Sequence, residues 1–266
     1  MKKTILILLT VSLVCSVFAF GSKEDDKSVL KVGATPVPHA EMLNLVIDNL
    51  AEQGITLEVI EFTDYVTPNE AVESNEIHAN FFQHAPYMDT FNYERKFSLV
   101  NAGGIHIEPI AVYSQTITRL DDLKDGATVA IPNDPTNEGR ALLLLESAGL
   151  IELNPAAGIE ATPYDITKNP KNLKFHEIEA ASLPRVLGDV DIAIINGNYA
   201  IPAGLSAAKD GLFVEGADSP YVNIVAVKAG METDERIIAL IQALQSQEIA
   251  NYIAEFYPNG EVVKVF

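Results

Sequence analysis

Only one cysteine occurs in the 266 residues, Cys15, and it lies inside the N-terminal apolar run. Once that run is removed, neither a disulfide nor a thiolate metal site can form. Basic residues are scarce as well, with 18 Lys and Arg against 37 Asp and Glu. Setting aside Lys2 and Lys3 of the leader leaves 16 basic against 37 acidic residues, a net charge of −21. Such a surface repels nucleic acid and anionic membrane faces and excludes nucleic-acid binding. No serine sits in a nucleophile elbow, and neither H-E-x-x-H nor H-x-x-E-H occurs. No glycine-rich phosphate loop is present, Gly103-Gly104 being too short a signal. The histidines (His39, His78, His84, His106, His176) are scattered, which argues against a metal centre. No catalytic residue, cofactor or metal is therefore expected.

What is there begins with Met1-Lys2-Lys3 and a run from Thr4 to Val14. Its apolar core of about ten residues matches a secretory signal, since a spanning helix needs about twenty. Ala19-Phe20-Gly21 fits a cleavage site, so 1–21 is read as a signal peptide and 22–28, Ser22 to Ser28, as a solvated tether. The chain is expected to be exported to the periplasmic face or cell envelope. Cys15 offers a lipid anchor, although Ser12-Leu13-Val14 is a poor lipobox because the position before the cysteine is usually small.

Beyond the tether no repeat or low-complexity stretch interrupts a long strand–helix alternation. Val29 to Ala34 reads as a strand, and His39 to Gln53 as a helix with Met42, Leu43, Val46, Ile47 and Leu50 on one face, stopped by Gly54. Ile55 to Phe62 and Ala79 to Phe82 read as strands, Asn69 to Ser74 and Ala85 to Tyr93 as helices, and 97–101 and 107–113 as extended. The second half repeats this grammar: a short helix at 120–126, a strand at 128–131, a helix at 136–148 stopped by Gly149, strands at 174–178 and 190–195 and a helix capped by Ser182 between them, a strand at 221–227 and an amphipathic helix at 234–246. Alternation of this kind implies parallel sheets covered on both faces, in two α/β lobes with a ligand cleft between the sheet ends.

Candidate chemistry gathers at the predicted strand ends. Arg140, in Asn137-Glu138-Gly139-Arg140, falls in the first turn of a buried-looking helix. A guanidinium beside a helix N-terminus makes a carboxylate receptor, because its fork matches a carboxylate and the helix dipole adds positive potential. The plainer alternative pairs it with Asp134 or Glu138. Tyr65 lies in a Thr63–Asn69 cluster that also reads as a simple helix cap. Phe82, His84 and Tyr87 could wall an apolar pocket suited to a thioether, with one of Phe81 and Phe82 in the ordinary core. Asn196 ends a buried strand, and Asn223 sits inside an apolar one, where its amide must be satisfied by something. His39 and Arg185 are read as structural. An acid–base pair of His84 and Asp64 keeps open a secreted enzyme acting on a small carboxylic acid.

The segments Gly33 to Glu41, Asp64 to Asn69, Ala79 to Tyr87, Ile131 to Arg140 and Ile195 to Ala200 resemble, in the same order, the NlpA family of substrate-binding lipoproteins. The best-known members of that family bind methionine for an ABC importer. The resemblance implies a type II periplasmic-binding-protein fold, with lobe one formed by 29–111 plus 226–266, lobe two by 112–225, and a hinge of two crossovers. It implies a methionine side chain among Tyr65, Phe82, His84 and Tyr87, a carboxylate on Arg140 with Asn137 beside it, and an ammonium on Asn196 and Asn223. The expected partners are L-methionine and the membrane permease and ATPase of an ABC importer, with the chain itself a monomer. D-methionine, a methionine-containing dipeptide, or a surface antigen whose pocket has decayed are the remaining alternatives.

Overall fold

The computed structural model describes residues 28–216 and 219–266. The expected leader, Cys15 and the tether up to residue 27 lie outside the described residues. The chain opens with β1 (Val29–Ala34), followed by α1 (Glu41–Leu45), α2 (Ile47–Glu52) and β2 (Thr56–Glu61). The single helix expected over 39–53 is broken at Val46, where φ −95° and ψ 2° leave the helical region. Its apolar face survives the break, since Met42, Leu43, Val46 and Leu50 are all buried. Gly54 and Gly149 both stop helices with left-handed φ of 77° and 74°, a conformation costly for any residue with a Cβ.

Next come α3 (Thr67–Glu73), β3 (Ala79–His84), α4 (Ala85–Arg95) and β4 (Leu99–Ile107). The two extended segments expected at 97–101 and 107–113 divide differently: β4 runs unbroken through Gly103 and Gly104. A Cβ at Gly103 would stand 2.8 Å from the Ile241 side chain, so the glycine admits a helix onto the strand. The chain then crosses to β5 (Ala111–Tyr113), β6 (Thr128–Pro132), α5 (Pro135–Ser147), β7 (Glu152–Leu153), β8 (Ile166–Lys168) and β9 (Lys174–Ile178). The helix expected at 120–126 is a single 3-10 turn, Leu120–Asp122. After α6 (Leu183–Val186), β10 (Ile192–Ile195), α7 (Gly197–Ala200), α8 (Ala207–Asp210) and β11 (Phe213–Val214), the chain returns through β12 (Val222–Lys228), α9 (Glu235–Leu244), α10 (Gln247–Phe256) and β13 (Val263–Lys264).

These strands form one sheet in the order β13-β4-β12-β3-β1-β2 and a second in the order β11-β5-β10-β6-β9, beside the small pair β7-β8. The sheets are mixed rather than parallel: β12 runs antiparallel to both β3 and β4, and β5 antiparallel to β10. The reason is the connectivity. β5 and β12 are the strands through which the chain enters the second sheet and re-enters the first. The boundary expected at 225/226 falls inside β12, whose residues 222–225 pair with the first sheet. Each sheet is covered on both faces, the first by α1, α2 and α9 on one side and α3 and α4 on the other. Leu142 and Leu145 of α5 are fully buried against the second sheet, each contributing roughly 1.5–3 kcal/mol.

α5 is held close to the 158–160 turn. A Cβ at Gly139 would stand 2.1 Å from the Ile159 carbonyl oxygen, a backbone atom that cannot swing aside. Gly139→Ala is therefore expected to lower stability by about 1–3 kcal/mol through overpacking. Thermal melting of the variant at the parent's midpoint would show that this turn yields without cost.

Candidate functional site

The ends of β3, β6, β10 and β12 converge between the sheets on a small cavity. It brings together all eight residues singled out in the sequence: Tyr65, Phe82, His84, Tyr87, Asn137, Arg140, Asn196 and Asn223. Gln83, Glu108, Gly197 and Asn198 complete the lining.

The period-two alternation of β3 separates its two phenylalanines. Phe81 is fully buried beneath the His39 ring edge, at 4.6 Å between centroids, while Phe82 faces the cavity. Tyr65 stands 5.8 Å from Phe82 and 5.9 Å from Tyr87, and Phe82 6.1 Å from Tyr87, all tilted or edge-on. The Tyr87 hydroxyl donates to the Tyr65 carbonyl at 2.8 Å, which locks the wall. Asp64 caps the turn behind it, accepting from the N–H groups of Val66 and Thr67.

A fixed circuit of hydrogen bonds sets the polar side. His84 Nδ1 accepts from the Tyr87 N–H at 3.1 Å, so Nε2 carries the proton and donates to Asn137 Oδ1 at 3.1 Å. Asn196 Nδ2 donates to the same oxygen at 2.7 Å, and Asn137 Nδ2 donates to the helix cap Asp134 at 2.7 Å. The Asn137 oxygen is thus fully occupied, and the residue orients its neighbours. Burial, with Arg140 nearby, lowers the His84 pKa to about 3. His84 does not touch Asp64, so the acid–base pair considered for an enzyme does not form. Arg185 bonds to Ser182 on the surface, as a structural residue would.

Arg140 pairs with neither Asp134 nor Glu138. Its Nε donates to Glu215 Oε1 at 2.9 Å, and Nη2 donates to Glu215 Oε2 and to the Glu108 carbonyl oxygen. The guanidinium carbon lies 4.3 Å from the centre of the Tyr221 ring. Among the described residues nothing bonds Nη1, which leaves one donor edge available. Two buried atoms of the lining have no partner among the described residues, the acceptor Asn196 Oδ1 and the donor Asn198 Nδ2. Buried polar atoms are nearly always satisfied, so donors and an acceptor left together in one cavity specify a ligand carrying both complements. The Asn198 oxygen meanwhile accepts from the Tyr65 hydroxyl at 2.6 Å, a bond spanning the two sheets.

Asn223 differs from expectation in position. The expected lobe boundary puts it in lobe two, but on β12 it is in register with His84, on the sheet that carries the aromatic wall. Its Oδ1 lies 3.3 Å from His39 Nε2. Beneath it, His39, His106 and Glu108 bring ligand atoms within 4.8 Å of one another, a grouping that could hold a metal ion and that their separation in the sequence concealed. Hydrogen bonds already occupy most of these atoms: His106 Nε2 donates to Glu108 Oε1 at 2.8 Å, His39 Nε2 donates to Asn223 Oδ1 while lying 3.3 Å from Glu108 Oε1, and His39 Nδ1 accepts from Thr35 Oγ1 at 2.8 Å. Glu108 was missed, although an acid inside the apolar segment 105–110 carries the same signal that marked Asn223. Asn198 was passed over inside a segment already quoted.

The sequence pattern described as NlpA lipoprotein matches residues 30–266. The chain is 47% identical to the membrane lipoprotein TpN32 of Treponema pallidum, over 87% of this chain and 86% of that one. It is 44% identical to the D-methionine-binding lipoprotein MetQ of Salmonella typhimurium, over 91% and 90%. A nutrient-binding protein from Burkholderia cenocepacia, solved bound to methionine, superposes with a TM-score of 0.86 at 44% identity, covering 89% of this chain and all of that one.

Burial lowers the pKa of His39 to about 4 and of His106 to about 3, so both are neutral in the folded state at pH 7. In the unfolded chain each protonates near 6.5, so the stability due to the neutral form is present above that pH and is lost as pH falls toward the folded values. His106→Gln keeps a donor for Glu108 and removes one such group. Its unfolding free energy is expected to vary with pH between 6 and 4 less steeply than the parent's, by about 1.4 kcal/mol per unit. Parallel pH profiles in denaturant titrations would show that His106 is already charged when folded.

Proposed function

Because the chain belongs to the NlpA lipoprotein family, we propose that it captures methionine between its two lobes and delivers it to the permease and ATPase of an ABC importer. It is a binding protein and not an enzyme, with the two-lobed α/β fold of periplasmic substrate-binding proteins. It acts outside the cytoplasm, and in our reading as a monomer, tethered through a lipid on Cys15.

The observation that carries the reading is the pair of unpaired buried atoms around one small cavity, Asn196 Oδ1 seeking a donor and Asn198 Nδ2 seeking an acceptor, beside the Arg140 guanidinium, whose bonds among the described residues use only Nε and Nη2. A zwitterionic amino acid supplies both. Its carboxylate meets Arg140, its ammonium meets Asn196 and Asn223, and its thioether lies among Tyr65, Phe82, His84 and Tyr87. Thioether sulfur against ring edges contributes about 0.3–1.5 kcal/mol that a branched aliphatic chain cannot supply. In this reading residues 29–107 and 222–266 form one lobe and 111–214 the other, hinged at the two crossings. Bonds already spanning the cleft, His84 to Asn137 and Tyr65 to Asn198, are part of the closed state. Relatives named for D-methionine make that enantiomer the second ligand to test.

Calorimetry with L-methionine, D-methionine and leucine tests this directly, with methionine expected to bind and leucine to bind more weakly. Leucine binding as tightly as either methionine would overturn the thioether reading. Asn196→Ala strands an ammonium without adding or removing charge, so affinity is expected to fall by about 1–3 kcal/mol while the fold persists. Arg140→Ala should abolish binding but also destabilise the hinge, because it leaves the half-buried Glu215 carboxylate without its cation.

A further inference from the structure

Glu108 differs from every other charge at the cleft. It is 5% exposed, lines the cavity and sits at the first crossing, between β4 and β5. Arg140 reaches only its backbone carbonyl, having given its guanidinium to Glu215. The Glu108 carboxylate is held instead by N–H groups, that of His106 at 2.8 Å and the backbone N–H of Asn198, with His39 Nε2 lying 3.3 Å away. Burial keeps both histidines neutral and pushes the Glu108 carboxyl up from its ordinary range, so its charge needs a partner. A buried carboxylate surrounded by neutral donors is oriented but not neutralised, an expensive arrangement unless a cation arrives.

Three details point that charge at the cavity. Glu108 Oε1 and Asn223 Oδ1 lie at the same distance, 3.3 Å, from one nitrogen, His39 Nε2, so the acid and the amide oxygen are neighbours. Asn196 Oδ1, buried without a partner, belongs to the residue just before Gly197. Gly197 makes room for the carboxylate, since a Cβ there would stand 2.8 Å from Glu108 Oε2 and from Glu108 Cβ. All three oxygens are acceptors. A group that satisfies them offers several N–H donors at one point and carries positive charge, which describes an ammonium.

We propose that Glu108 is the counter-charge for the ligand's ammonium group, and that it restricts the cleft to α-amino acids against acids sharing the same carboxylate and side chain. The inference rests on the methionine reading and adds the residue that selects for the amine. Charges then alternate along one line: Glu215, Arg140, ligand carboxylate, ligand ammonium, Glu108. His106 is a positioning residue, donating to the acid while leaving its charge for the ligand, and His39 does the same for the Asn223 amide oxygen.

The test compares methionine with 2-hydroxy-4-(methylthio)butanoate, which replaces the ammonium by a neutral hydroxyl. Calorimetry on the purified protein is expected to find the hydroxy acid at least about 30-fold weaker than methionine. In Glu108→Gln, methionine should weaken about 30-fold or more while the hydroxy acid stays within about threefold of its parent affinity. A folded variant that loses both ligands equally, or neither, overturns the proposal. Should Glu108→Gln melt too low to assay, the parent alone decides, because a hydroxy acid within about threefold of methionine shows that no counter-charge is at work. A parent that binds no methionine removes the broader reading instead, so the two failures are distinct.

Discussion

The guanidinium of Arg140 is the contact on which the cleft depends. It is 4% exposed and bonds both crossings between the sheets, at the Glu108 carbonyl and at the Glu215 carboxylate, and it stacks on Tyr221 where the second crossing enters β12. A buried cation is tolerated only with its charge and its N–H groups matched, and here the matching groups are the hinge itself. The residue proposed to offer an edge to a ligand carboxylate is therefore the one that ties the connecting strands together. Position and recognition are inseparable at this site, which is why the guanidinium needs no rearrangement to present Nη1.

Around that cation the polar groups are arranged so that orientation comes from neutral donors. His84, His39 and His106 are all depressed by burial and donate as uncharged imidazoles. Neutral donors fix the tautomers and amide orientations without cancelling the charges that a zwitterion needs. The circuit from the Tyr87 N–H through His84 and Asn137 to Asn196 illustrates this, because each bond dictates the next and the last atom, Asn196 Oδ1, is left facing inward.

Much of this was legible in the sequence, and the gaps have physical causes. Strand-end clusters located the cavity because α/β folds place ligands there, and all eight candidate residues line it. The arginine's partner was not legible, since Glu215 is 75 residues away and local pairing with Asp134 or Glu138 is what spacing alone suggests. Asn223 was assigned to the wrong side because an apolar strand does not reveal which sheet it joins. α10 escaped notice although its helix is strongly amphipathic and capped by Ser246. The His39, His106 and Glu108 cluster depends on contacts between β4 and the segment after β1, which no periodicity encodes. Roles were harder to read than positions: nothing in the spacing shows that Asn137 is also a bracket between His84, Asn196 and Asp134.

The insertion of β12 between β3 and β4 has a consequence for how the chain acquires its structure. Both neighbours of that strand precede it by more than a hundred residues, with the whole second sheet in between. The second sheet draws only on 111–214 and can assemble from contiguous chain. The first sheet remains split, β4 on one side and β3, β1 and β2 on the other, until β12 arrives. Closing so long a loop is slow, and a nascent or translocating chain will spend that interval as one finished lobe beside one divided sheet. For a protein that acts outside the cytoplasm, a first lobe that cannot close before the last sixth of the chain has emerged is a built-in delay.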